Sequence, residues 1–106
     1  MDMNSLFNEL RSGIAEIAKN EGKQFAKQII EDGESYLKAA EEDIKQWCKD
    51  CAKGKLKKDE LEFLVRGKKD LAEMKALTQA GIAAARVDRV KTAIVDLTID
   101  TLTKAL

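Results

Sequence analysis

The residues whose types and spacing most suggest chemistry are the two cysteines of WCKDC, Trp47 to Cys51. Three positions apart on a helix, their side chains share a face. Such a pair can exchange a disulfide or supply two ligands to a metal. A redox pair works best where a helix begins, because the dipole there favours the thiolate. This pair instead precedes Gly54, a residue that suits a helix end, and Lys49 and Lys53 offset the unfavourable dipole only in part. Zinc takes four ligands. With two cysteines and no histidine, only two copies of the chain could complete a four-thiolate site. The preferred reading is packing, with Trp47 and Cys51 closing an apolar stripe near a loop. Thiol redox or a shared metal at Cys48 and Cys51 stands as an alternative.

The absence of histidine removes the commonest general base, metal ligand and pH switch. It also removes the Glu-x-x-His pattern of di-iron bundles. Glu9, Glu21, Glu60 and Glu73 lie among basic neighbours and read as surface groups. Asp88 falls on the same broad side as Thr78, Gly81, Ala85 and Val95. It therefore needs a partner among Arg86, Arg89 and Lys91, or a place at the water's edge. No catalytic residue, metal ligand set or cofactor is expected, and the chain reads as a non-enzyme.

The elements that position these residues are legible as helices. The 106-residue chain has no proline, 44 % hydrophobic and 36 % charged residues. Ala, Leu, Lys and Glu, all strong helix formers, dominate it. Asn4 or Ser5 can cap a first helix. Phe7, Leu10, Ile14 and Ile17 then recur at spacings of three and four, as a core-facing stripe requires. Phe25, Ile29, Gly33, Leu37, Ala40, Ile44, Trp47 and Cys51 continue it. EDGE at 31–34 is the one plausible break. Gly54 suits a left-handed helix terminus, and Asp59 with Glu62 resembles a capping box for the next helix.

The second half carries one stripe through Leu64, Gly67, Leu71, Met74, Thr78, Gly81, Ala85, Val95, Ile99, Leu102 and Leu106. A second runs through Ala80, Ala84, Val87, Ile94 and Leu97. Two apolar faces need two sets of partners, one from the same chain and one from another copy. The expected fold is all-α and a single domain over 1–106: a long antiparallel helical hairpin that assembles as a four-helix bundle dimer. Its helices cover about 4–53 and 59–105 around a tight turn at 54–58, each rod roughly 70 Å long. A single-chain four-helix bundle is the alternative.

Net charge is zero, with 19 basic and 19 acidic residues. Six acids fall within 31–43 and five lysines within 49–58. The functional expectation is a structural or protein-interaction module that self-associates through apolar helix faces. Its candidate interaction residues are Gly81, Ala84, Val87, Ile94 and Leu97, with Lys53, Lys55, Lys57 and Lys58 at the turn. A homo-oligomer is expected, with a protein partner besides. The alternative is a nucleic-acid or lipid surface bound by the lysine-rich turn. Nucleic acid is the weaker of these, because nothing global is basic and no aromatic platform for stacking bases follows the lysines. The opening MDMNSLFNELRSG lacks a basic start and a long apolar run, so no leader peptide is expected. No charge-free stretch of about 20 residues exists, so no membrane span is expected and a cytoplasmic location is the default.

Overall fold

The structure, a computed structural model, describes residues 2–106. Among these residues the regular structure is entirely helical, in five α-helices: α1 (Met3–Glu21), α2 (Ala26–Ala52), α3 (Lys58–Gly67), α4 (Lys75–Gln79) and α5 (Ala84–Ala105). Single 3-10 turns at Lys23–Phe25 and Lys69–Leu71 bridge α1 to α2 and α3 to α4. α1 packs on both α2 and α5, while α3 and α4 close the open sides against α5 and α2.

The expected rods are not present, because each half of the chain breaks. The longest molecular dimension is 43 Å, and the Cα radius of gyration is 13.7 Å. A folded domain of this length should have a radius of about 13 Å. The first break falls at Gly22 and not at EDGE. Gly22 takes φ +103°, ψ 154°, a conformation that L side chains rarely adopt. Its N–H ends α1 by donating to the Lys19 carbonyl at 3.3 Å. EDGE runs through unbroken inside α2, where Asp32 and Gly33 both face inward. At Gly33 a Cβ would sit 2.6 Å from Cγ2 of Ile14, so the missing side chain lets α1 lie against α2. In the second half the chain turns at 68–74 and again at 80–83, between the short helices.

The bend after α2 follows the sequence closely. Gly54 adopts φ +75°. Its N–H donates to the Cys51 carbonyl, and that of Lys55 donates to Asp50, the paired bonds of a Schellman terminus. α3 then begins one residue earlier than expected. Glu60, and not Glu62, accepts from the cap N–H, at Lys57, with an N···O distance of 3.0 Å. The reciprocal arm is missing, since a lysine side chain has no acceptor. At the chain start the cap is Asp2, whose carboxylate accepts from the Asn4 N–H and the Ser5 hydroxyl, each at 3.0 Å.

One contiguous core joins all five helices. Leu6, Phe7, Leu10, Ile14 and Ala18 come from α1, and Ile29, Tyr36, Leu37, Ala40, Ile44, Trp47 and Cys48 from α2. Leu61 and Val65 anchor α3; Val90, Ile94, Val95, Ile99 and Leu102 anchor α5. From residue 94 onward both apolar stripes of α5 thus find partners inside one chain, Val95, Ile99 and Leu102 on one and Ile94 on the other. Thr98, also buried, satisfies its hydroxyl on the Ile94 carbonyl at 2.9 Å.

Candidate interaction surface

The cysteines sit at the C-terminal end of α2, Cys48 buried and Cys51 half-buried, both as free thiols. Burial pushes the Cys48 thiol above its ordinary pKa, and the neighbouring Cys51 adds to the shift. Burial likewise raises Cys51, helped by Asp50 and Glu60. Both shifts work against the thiolate that redox chemistry or metal binding needs. Among the described residues no three His, Cys, Asp or Glu side chains converge to hold a metal ion.

The expected apolar contact residues are split by the fold. Ile94 is buried in the core, and the Leu97 methyl groups lie over Gly13, where a Cβ would meet Cδ1 at 2.4 Å. These two are occupied within one chain. Val87 is half-buried, and Gly81 and Ala84 are exposed at the turn into α5. Gly81 adopts φ +80° in open space, so its place in the fold is a turn. Lys53, Lys55, Lys57 and Lys58 are all exposed around the Schellman bend. None of them, nor Lys49, forms an ion pair among the described residues. The acidic run does not meet them. Glu34 pairs with Arg11, Glu41 with Lys45 and Asp43 with Lys68. Exposed pairs of this kind contribute about 0–1 kcal/mol each.

Three features were missed in the sequence. The first is Asp32, 5 % exposed, the one buried charged side chain among the described residues. Its two carboxylate oxygens accept from the Ala76 N–H at 2.8 Å and the Leu77 N–H at 2.9 Å. Its position three after Ile29 and four before Tyr36 puts it on the apolar stripe, and that was the available signal. The second is Glu21. Arg89 grips both of its carboxylate oxygens, at 2.9 and 2.8 Å. Arg86 donates to the Glu21 backbone carbonyl at 2.6 Å and stacks 5.2 Å above the Phe25 ring. The Arg89 hydrogen bonds hold the Glu21 carboxyl below the usual range despite partial burial, with the charges of Arg89 and Arg86 assisting. Two arginines offered as partners for Asp88 are thus engaged elsewhere, and Asp88 is exposed to solvent.

The third feature is Phe63. α3 buries Leu61 and Val65, so Phe63, two positions from each, points the opposite way and is 78 % exposed. Leu64 beside it is also exposed. On the helix surface Phe63 is flanked by Asp59 and Glu60 toward the N-terminus, and by Arg66 and Gly67 toward the C-terminus. Gly67 has open space around it and leaves the ring uncovered on that side.

The class these features define is a small all-helical protein with a closed core and one outward aromatic on a short helix. In comparison with known proteins, the chain matches no family, no curated protein and no solved structure. Among the described residues no helix is long and apolar enough to cross a membrane.

Proposed function

We propose that this chain is a protein-interaction module that docks through the outer face of α3, and that a second copy of the chain is a partner of that face. The observation that carries the reading is Phe63, a large aromatic in water on a helix whose other face is fully used. Aromatic side chains anchor interfaces disproportionately. The charges around the ring suit a two-fold contact. Antiparallel α3 helices related by an axis through Phe63 set Asp59 and Glu60 of each copy near Arg66 of the other, which within its own chain pairs with Glu62 at 3.2 Å and Asp96 at 3.1 Å and would share those contacts. This replaces the hairpin dimer as the form of self-association, because Ile94 and Leu97 are occupied inside the chain.

Burying one Phe63 returns about 2 kcal/mol, so two return about 4 kcal/mol. Association costs about 4–15 kcal/mol, so the two rings offset only the low end of that cost; a dimer on this face also needs the burial of Leu64 and is weak and transient. Sedimentation equilibrium up to near-millimolar protein tests it. Wild type should show a concentration-dependent mass that Phe63→Ser abolishes, while the unfolding free energy stays within about 0.5 kcal/mol of wild type. A wild-type chain monomeric across the whole range overturns the self-association.

A second reading rests on the exposed ammonium groups of Lys53, Lys55, Lys57 and Lys58 at the α2–α3 bend, which form no ion pair among the described residues. Their common chemistry is an anionic surface, either lipid headgroups or nucleic acid. The thiol alternative carries no proposal, since burial disfavours both thiolates.

A further inference from the structure

The segment 68–83 is built unlike the rest of the chain. Its only α-helix, α4, has five residues. A helix that short cannot sustain itself, and its first amides need acceptors from elsewhere. The side chain at its own cap position offers them none. Met74 sits there at φ 57°, ψ 40°, the one left-handed non-glycine among the described residues, with its side chain in the core. The acceptor comes instead from α2, where Asp32 takes the Ala76 and Leu77 N–H groups on its two oxygens.

Beyond those two bonds the segment is held by few groups. It contributes Ala72, Met74 and Leu77 to the core, with Leu71 and Ile82 partly buried against it. Its ion pairs to the body, Lys68–Asp43 and Lys91–Asp70, are 3.9 Å long, and their strap partners Lys68 and Asp70 are exposed. Open grooves run along both sides, one of about 150 Å³ against Ser35 and Ala39 of α2, the other of about 250 Å³ against Val87 of α5. Near its two ends, a Cβ added at Gly67 or Gly81 would meet nothing within 4 Å.

We infer that residues 68–83 form a strap that opens as one unit, with the buried Asp32 carboxylate as its latch. Opening uncovers the α2 face around Asp32, Ser35 and Ala39 and withdraws Ala72, Met74 and Leu77 together with the partly buried Leu71 and Ile82. The latch therefore sets how often this face meets solvent, while α1, α2 and α5 stay packed on one another.

Native-state hydrogen exchange of the full chain tests this without any mutation. The amides of Thr78, Ala80, Gly81 and Ile82 bond to carbonyls inside the strap. They should exchange as one group, opening more often than the amides of α1, α2 and α5. Their merging with the global unfolding of the long helices overturns the strap. The latch is tested with Asp32→Asn, which keeps one acceptor oxygen, and Asp32→Ala, which keeps none. Exchange at Ala76 and Leu77 should accelerate about tenfold in the first and about a hundredfold in the second, with α1 and α5 amides unchanged. Unchanged exchange at 76 and 77, or equal acceleration in every helix, refutes the latch. If Asp32→Ala does not fold, Asp32→Asn and the unmodified chain still decide.

Discussion

Gly33→Ala opposes helix propensity to packing, and the structure says which wins. Gly33 lies in the interior of α2, where alanine is favoured over glycine by about 0.8–1.0 kcal/mol. An added Cβ, however, would stand 2.6 Å from Cγ2 and 2.9 Å from Cδ1 of Ile14. Carbon atoms rest about 3.5–4.0 Å apart, so Ile14 or all of α1 must retreat by roughly 1 Å. Ile14 is 2 % exposed and has no free space to enter. Overpacking of this kind costs about 1–3 kcal/mol. The net expectation is a loss of about 0–2 kcal/mol, with no gain. Urea unfolding followed by circular dichroism measures it, with an unchanged denaturant slope as the sign that only stability moved. Ile14→Ala supplies the second arm of a cycle. Alone it costs about 2–5 kcal/mol through the cavity it leaves. Combined with Gly33→Ala it should cost at least about 1 kcal/mol less than the sum, since the new methyl enters that cavity. Gly67→Ala, in open space at the end of α3, is the control and should gain up to about 1 kcal/mol. A stabilising Gly33→Ala, or strict additivity with Ile14→Ala, would refute the close approach of α1 to α2.

Glu21→Gln tests the clamp between α1 and α5. The folded carboxyl is held below its ordinary value, chiefly by the Arg89 hydrogen bonds. Its contribution is therefore present above the unfolded value of about 4.3 and is lost as pH falls through the folded one. The urea midpoint of the variant should lie below wild type at neutral pH, and the gap should close in acid; a gap independent of pH would contradict this account. For the lysine bend, Lys55→Ala with Lys57→Ala should weaken binding to phosphatidylserine vesicles roughly thirtyfold, about fivefold per lysine. Equal binding by wild type and variant removes the anionic-surface reading, and the same pair assayed on single- and double-stranded DNA at two salt concentrations separates lipid from nucleic acid.

The candidate interaction surface was less legible than the helices, and particular residues show why. Gly54 was readable because a left-handed helix terminus is a local demand, set by a few consecutive residues. Phe63 was passed over because α3 could be phased in more than one way. FLV at 63–65 offers three adjacent apolar residues, and only the packing against α5 selects Leu61 and Val65 as the buried pair. Gly22 and Gly33 look alike in a sequence, yet one breaks a helix and the other lets two helices touch. Asp32 looked like one more acid in an acidic run. Its partner amides lie 44 and 45 positions away, beyond the reach of any periodicity.

The amino-acid sequence by itself determined that the chain is helical, that it bends tightly after residue 53 and that its apolar residues line inward faces, because propensity, capping and the 3.6-residue period all act within a few residues. Only the tertiary structure decided that Ile94 and Leu97 are occupied by the same chain as Ile99 and Leu102, that Asp32 accepts from the first amides of α4 and that Phe63 is left outside. Those outcomes depend on which helices meet, and that is fixed by long-range packing that no local pattern encodes.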